Sequence, residues 1–211
     1  MADYKLWGFD GSTYVRTVKM VFAEKHGGNY EQVQVNVLEG EPKSEEHLER
    51  HPFGKVPVLD HKDFRIYETP AICQYLDVVL PGIALIPSDP KSRARMDMVT
   101  NIIDSYTYGP VVGGVVAYHL FPDFVGGKDE DAHKQGLKDA KHALTQLMKI
   151  KGSDQYLAGE QISIADLYLA PLVAYITMTP HKDEFLSEID GLSDWWELIS
   201  NRESFKATDP S

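Results

Sequence analysis

Two short runs, Pro52-Phe53-Gly54-Lys55-Val56-Pro57-Val58-Leu59 and Tyr67-Glu68-Thr69-Pro70-Ala71-Ile72, constrain this chain more than any other part of it. In the first, a glycine turn leads into a Val-Pro step that opens an apolar strand. In the second, Glu-Thr-Pro opens an amphipathic helix. Proline at the first position of a strand keeps the residue before it extended, so Val56 can offer its own N–H and C=O to a bound ligand as if to another strand. A cis Val56–Pro57 bond would turn that edge toward a pocket. Thr69 reads as an N-cap with Pro70 at the first helical position, where the missing N–H costs nothing. The other N–H groups at that helix end then form an anion site suited to a ligand carboxylate. Together the two runs describe one site shaped for a peptide.

The rest of the chain can support such a site. With 211 residues, 43% of them hydrophobic, it can fold as one large domain or two small ones around real cores. A formal charge of -11 opposes binding to phosphate backbones and anionic membranes, so neither nucleic acid nor membrane is an expected partner. No apolar run reaches membrane-spanning length, and the start Met1-Ala2-Asp3-Tyr4-Lys5 has neither the basic nor the apolar part of a signal peptide; a cytoplasmic location is expected. The single cysteine, Cys73, excludes an intrachain disulfide and a cysteine-rich metal site.

Periodicity divides the chain. Lys5 to Phe9 is a short strand candidate, and a helix beginning at Ser12 places Val15, Val18 and Phe22 on one face until His26-Gly27-Gly28 stops it. Val33, Val35 and Val37 alternate with polar residues as in a half-buried strand, and an acidic, exposed segment follows from Glu39 to Arg50. Val56 to Asp60 and Phe64 to Tyr67 read as a hairpin turning at His61-Lys62-Asp63, and a helix from Thr69 to about Val79 ends at Pro81-Gly82. From Pro87-Ser88-Asp89-Pro90 onward the strand pattern disappears. A long helix is expected from about Lys91 to Leu120, bent at Gly109-Pro110, with others over Glu130 to Ile150, Ser163 to Met178 and Leu192 to Ser200. The expected division is residues 1–80, a linker at 81–89, and a helical part at 90–211.

In their order and spacing, Val56-Pro57 and Glu68-Thr69 resemble the glutathione site of the glutathione S-transferase family. The order of an α+β unit and then helices only is similar to that family's fold, a thioredoxin-like domain with a four-stranded mixed sheet followed by an all-α domain. Gln161-Ile162-Ser163-Ile164-Ala165-Asp166-Leu167 also looks like the capping box and hydrophobic staple at the centre of the family's helical domain, with Asp166 reaching back to the N–H of Ser163. What the resemblance implies is attack by the glutathione sulfur on a small apolar electrophile, or reduction of organic hydroperoxides, by a cytosolic homodimer with glutathione as co-substrate. A non-catalytic binding or regulatory protein on the same fold is the alternative. So is a specialised glutathione-dependent isomerase, dehalogenase or ether-cleaving enzyme.

A free thiol titrates near about 8.5 and is mostly protonated at neutral pH, so such an enzyme must favour the thiolate. Serine-type members carry a hydroxyl just after the first strand, four or five residues before an arginine. Ser12, four residues ahead of Arg16, matches, and phi-like and bacterial members are the nearest subclass by this feature. Thr13 and Tyr14 are neighbouring hydroxyls that stay open as alternatives, and Ser12 could act as a helix cap and nothing more. Tyrosine-type members need their hydroxyl where this chain has Trp7, Gly8 and Phe9; cysteine-type members need a cysteine near Ser12. Cys73 sits among apolar residues of a helix and reads as a small buried hydrophobe.

For the rest of the site, the resemblance assigns Glu68 to the γ-glutamyl ammonium, Thr69 to its carboxylate, Val56 with Pro57 to the cysteinyl backbone, Lys55 to a ligand carboxylate, and Lys43 to the glycine carboxylate. Pro42 stands where phi-type members have a histidine. Phe9, Tyr14, Tyr108 and Val112 are the electrophile-pocket candidates. No metal is expected, because the His47 and His51 pair is followed at once by Pro52 and completes no ligand pattern, and no glycine loop supports a nucleotide cofactor.

Overall fold

The computed structural model describes residues 3–26 and 28–210. Gly27, read above as part of a helix stop, and Met1-Ala2, read as part of the chain's start, lie outside the described residues. The first elements are β1 (Tyr4–Gly8), α1 (Thr13–Glu24), β2 (Tyr30–Gln34), α2 (Glu45–Arg50), β3 (Val58–His61), β4 (Phe64–Tyr67) and α3 (Thr69–Val79). Strand β1 buries Tyr4, Leu6 and Gly8 and exposes Lys5, as the two-residue period of a strand requires. The sheet runs β2-β1-β3-β4, with β2 parallel to β1 and β3 and β4 antiparallel to their neighbours. Val15, Val18 and Phe22 of α1 and Ile72, Cys73 and Leu76 of α3 are buried, and the two helices pack on one another.

Lys25 holds the far ends of these helices together. Its buried ammonium donates to Asp77 Oδ1 (2.9 Å), Asp77 O (3.0 Å) and Ile83 O (2.8 Å), so all three of its protons are used.

The second group of elements is helical: α4 (Pro90–Ile102), π-helical stretches at Ile103–Thr107 and Gly109–Val116, α5 (Ala117–Leu120), α6 (Glu130–Lys151), α7 (Ile164–Thr177), α8 (Lys182–Glu188) and α9 (Leu192–Ser200). Every residue from Ile164 to Ala174 is buried, so α7 forms the core of this group. At its start the capping box closes around Asp166. This fully buried carboxylate accepts from the backbone N–H of Leu157 and Ser163, each at 2.9 Å, and from Trp195 Nε1 at 2.9 Å, with Ser163 Oγ at 3.0 Å. Burial pushes its pKa up, and these four donors work against that rise. Among the described residues no helix is long and apolar enough to cross a membrane.

Several sequence readings change. Strand β2 ends at Gln34 rather than Val37, because Gln34 lies opposite Gly8, the last residue of β1, and beyond it there is no strand left to pair with. The segment expected to be exposed is so for the most part, yet it holds α2, capped by Ser44 Oγ accepting from His47 N–H at 3.2 Å, with Pro42 and His47 buried. The long helix is not simply bent at Gly109-Pro110. Its hydrogen bonds widen to five residues, as in Tyr108 N to Ile103 O and Ala117 N to Val112 O, around the position where Pro110 has no N–H to give. Helices α8 and α10 (Glu203–Lys206) were not anticipated. Nor does the helical part extend to 211, since the chain forms compact units of residues 1–84 with 203–211, and 85–202. The last segment returns to α1, where buried Arg16 donates to Phe205 O at 3.1 Å, pairs with Asp209 at 3.1 Å and lies 4.2 Å over the Phe205 ring.

Candidate functional site

The register of the sheet collects the candidate glutathione residues at one end. Trp7 lies opposite Val58 and Val58 opposite Tyr67, so the end of β1, the start of β3 and the end of β4 coincide. The segments just beyond these positions carry Phe9 to Tyr14, Lys55 to Pro57, and Glu68-Thr69, and both α1 and α3 begin there. Gly8 permits the close approach that this needs: a Cβ on it would fall 2.4 Å from Val15 Cγ2, so any side chain would push α1 off the strand.

Ser12 is the N-cap of α1, half-buried, with Oγ 3.4 Å from the N–H of Val15. In that bond the oxygen accepts, so the hydroxyl proton stays available for a further acceptor. Capping and donation to a thiolate are therefore compatible, and the cap fixes the direction of the oxygen. Thr13 is buried in the first turn, and Tyr14 is half-buried.

At the second helix start the structure corrects the sequence reading by one residue. Glu68, not Thr69, is the N-cap of α3; its carbonyl accepts from Ile72 N–H at 3.0 Å, which puts Thr69 and Pro70 inside the first turn. Glu68 has φ 71°, ψ 116°, a backbone conformation that costs a non-glycine residue of order 1–3 kcal/mol and is found mostly where function holds it. No side chain caps this helix end, so the N–H groups of Thr69 and Ala71 are open to an anion, and buried Thr69 stands beside the exposed Glu68 carboxylate.

The Val56–Pro57 bond is cis. Val56 is half-buried and Pro57 buried, while Lys43 and Lys55 are exposed. Lys43 Nζ lies 3.2 Å from Phe53 O, so part of its donor capacity goes to the loop ahead of Val56.

His47 and His51 were read from the sequence only as failed metal ligands, yet they shape this end of the unit. His47 is fully buried and its Nε2 donates to Lys55 O at 2.8 Å, which ties α2 to the residue before Val56. His51 is buried against Tyr67, with ring centroids 4.9 Å apart, and accepts from Phe53 N–H at Nδ1. Its proton therefore sits on Nε2, 3.8 Å from Glu68 Oε1. Burial lowers the His51 pKa, and the nearby Glu68 carboxylate opposes that without cancelling it, so the ring is held neutral. Two histidines ahead of a Val-Pro step were the available signal, and weighing their four-residue spacing only against a metal site hid it.

The electrophile candidates divide between the units, Phe9 and Tyr14 in the first and Tyr108 and Val112 in the second. Tyr108 sits between the two π-helical stretches, and burial raises its pKa. A 480 Å³ hollow in the helical unit is flanked by Ile102, Tyr106 and Pro110 on one side and by His142, Ala143 and Gln146 of α6 on the other, and neither Tyr108 nor Val112 lines it.

Comparison with known proteins bears on the family and the fold. The family model described as glutathione S-transferase, N-terminal domain matches residues 2–78, and the glutathione S-transferase, C-terminal domain model matches residues 108–203. Glutathione S-transferase F7 of Arabidopsis thaliana is 31% identical over 216 residues, covering 98% of this chain and 99% of the relative. Glutathione S-transferase F6 of the same plant is 32% identical, with 97% and 98% covered. Among solved structures, glutathione transferase F7 from Populus trichocarpa superposes with a TM-score of 0.85 at 28% identity over 97% of both chains. Glutathione S-transferase I from maize, in complex with an atrazine glutathione conjugate, does so with a TM-score of 0.84 at 26% identity over 99% of this chain and 97% of that one.

Proposed function

The chain belongs to the glutathione S-transferase family and is a glutathione transferase, and from that premise we propose that it is of the serine type, with Ser12 donating its hydroxyl proton to the glutathione thiolate. The observation that carries this reading is the pose of Ser12: its oxygen is fixed by the Val15 N–H while its own proton stays free, at the start of α1. Lowering a thiol pKa by about two units takes roughly 2.7 kcal/mol, within reach of one charge-assisted hydrogen bond plus the positive end of a helix. The thiol proton leaves to solvent and the sulfur attacks the electrophile. Glu68 takes the γ-glutamyl ammonium, the Thr69 hydroxyl and open α3 N–H groups take its carboxylate, and Val56 pairs with the cysteinyl backbone. Lys43 and Lys55 meet the glycine carboxylate. Phe9 and Tyr14 in the first unit, and Tyr108 and Val112 in the second, are the candidates for contact with the electrophile, and small apolar electrophiles or organic hydroperoxides are the substrates.

Ultraviolet titration of the thiolate tests the assignment. Ser12→Ala should raise the pKa of bound glutathione by about one to two units and lower turnover at neutral pH by about 10–100-fold, with glutathione affinity largely kept. Thr13→Ala and Tyr14→Phe should change little. A shift seen in either of those and not in Ser12→Ala would move the role to that residue, and no shift in any of the three would remove the thiol-activating mechanism.

A further inference from the structure

Three histidines far apart in sequence converge inside the helical unit. His119 lies on α5, His133 near the start of α6 and His181 just before α8, and each brings a ring nitrogen within 4.8 Å of the other two. Their hydrogen bonds determine where the lone pairs point. Nδ1 of His133 is 2.8 Å from Gly114 O, which can only accept, so the proton is on that nitrogen. Nδ1 of His181 is 2.8 Å from Glu184 Oε2, a carboxylate, so the proton is again on Nδ1. In the neutral rings both Nε2 atoms then carry lone pairs, and these two atoms lie 3.2 Å apart. Lone pairs at that separation repel unless a positive charge sits with them. Nε2 of His119 is also buried without a hydrogen-bond partner.

The surroundings hold this arrangement rigidly. Gly114 and Gly136 bring two helical backbones into contact, since a Cβ on Gly114 would fall 2.6 Å from Gly136 Cα, and that approach puts Gly114 O within reach of His133. The Tyr118 ring stacks on His133 at 4.1 Å with a 10° interplanar angle. Glu184 is itself held by Lys141, which also bonds Glu188.

We propose that His119, His133 and His181 form a three-histidine site for a divalent transition metal of the zinc kind. Two imidazole nitrogens bound to one tetrahedral ion at about 2.0–2.1 Å are about 3.3 Å apart, a separation that His133 and His181 already have. His119 completes the triad by rotation of its ring, and a fourth position is left for water or a small ligand. A backbone carbonyl on one Nδ1 and a carboxylate on another are the supports that metal-bound histidines use to fix their tautomers. The all-imidazole set suits zinc, nickel or copper and does not suit magnesium or calcium. A proton shared between His133 and His181 would relieve that pair but would leave Nε2 of His119 without a partner, and this atom favours the metal. The inference does not depend on the glutathione site, with which it shares no residue.

The test uses the full chain without an affinity tag, stripped with a chelator and titrated with Co²⁺ and then Zn²⁺. The expected result is one Co²⁺ per chain with the visible absorption of a four-coordinate site, displacement by one equivalent of Zn²⁺, and a higher Tm with Zn²⁺. The half-buried His119 and His181 carry the test, because replacing buried His133 disturbs the packing. His119→Ala and His181→Ala should each abolish the visible band, Glu184→Gln should weaken Zn²⁺ binding about 10–100-fold, and exposed His142→Ala should change nothing. No saturable binding by the unaltered chain, or binding that survives His119→Ala and His181→Ala, overturns the site.

Discussion

At the scale of single residues, the site depends on groups whose chemistry is set by what lies behind them. Glu68 occupies a costly backbone conformation with its carboxylate exposed and a neutral imidazole beneath it. Removing Glu68 and Thr69 together by alanine substitution should weaken glutathione binding by calorimetry about 10–100-fold, the worth of one charge-assisted hydrogen bond at about 1.5–3 kcal/mol. Binding left unchanged by the double substitution would relocate the γ-glutamyl end. His51 makes a second prediction, in pH. Its folded-state pKa lies below the ordinary 6.5, so at pH above 6.5 the ring is neutral in both states and nothing is lost. As the pH falls from 6.5 toward the lower folded value, the unfolded chain takes up a proton that the folded one resists, and stability declines. Denaturant midpoints measured across that range should fall less steeply for His51→Asn than for the parent chain. His51 was visible in the sequence, but its role was not, because it depends on a packing contact with Tyr67 and on distance to Glu68.

Among the elements, α1, α3 and α7 are each held by one buried polar group with all its partners in place. Lys25→Met should leave the Asp77 carboxylate buried without its cation and cost roughly 3–5 kcal/mol by chemical denaturation, far more than an exposed pair would. Asp166→Ala strands the Trp195 indole N–H and two backbone N–H groups, and a loss of about 3 kcal/mol or more is expected, with Asp166→Asn losing less because one oxygen still accepts. A measured cost under about 1 kcal/mol for either Lys25→Met or Asp166→Ala would show that water replaces these bonds. The capping box was legible because its spacing is local, three residues along one helix. Lys25 was not, since its acceptors are more than fifty residues away in sequence. The π-helical stretches were partly legible: Pro110 announced an interruption, but whether a helix bends or widens depends on the helices packed against it.

For the whole molecule, the return of residues 203–211 to the first unit ties the two ends of the chain together through Arg16. Phe205→Ala should lower stability by about 1–2 kcal/mol through loss of the cation–π and packing contacts, and an unchanged Tm would remove Arg16 from that role. The homodimer that the family resemblance implies belongs to this scale too. In the run Met96-Asp97-Met98-Val99 of α4, Met96 and Val99 belong to the core and only Met98 is an exposed apolar side chain. Val78 and Val79 at the end of α3 are exposed as well, and are the other candidates for a contact between copies. Sedimentation at micromolar concentration should give twice the 23.7 kDa of one chain, and Val78→Glu should shift it toward the monomer.

Local chemistry in the sequence determined where most of the longer helices and strands lie, that the helix after Tyr67 opens on free N–H groups, and that an α+β part precedes a helical one. Periodicity, prolines and caps act over a few residues, so one chain read in order contains them. What only the tertiary structure decided are relations across long separations: the sheet register that brings Ser12, Val56 and Glu68 to one end, the return of the last segment to Arg16, and the meeting of His119, His133 and His181. None of these has a period or a spacing, because each is set by how packed elements approach one another, and for the three histidines that approach rests on two glycines, Gly114 and Gly136, that let two helices touch.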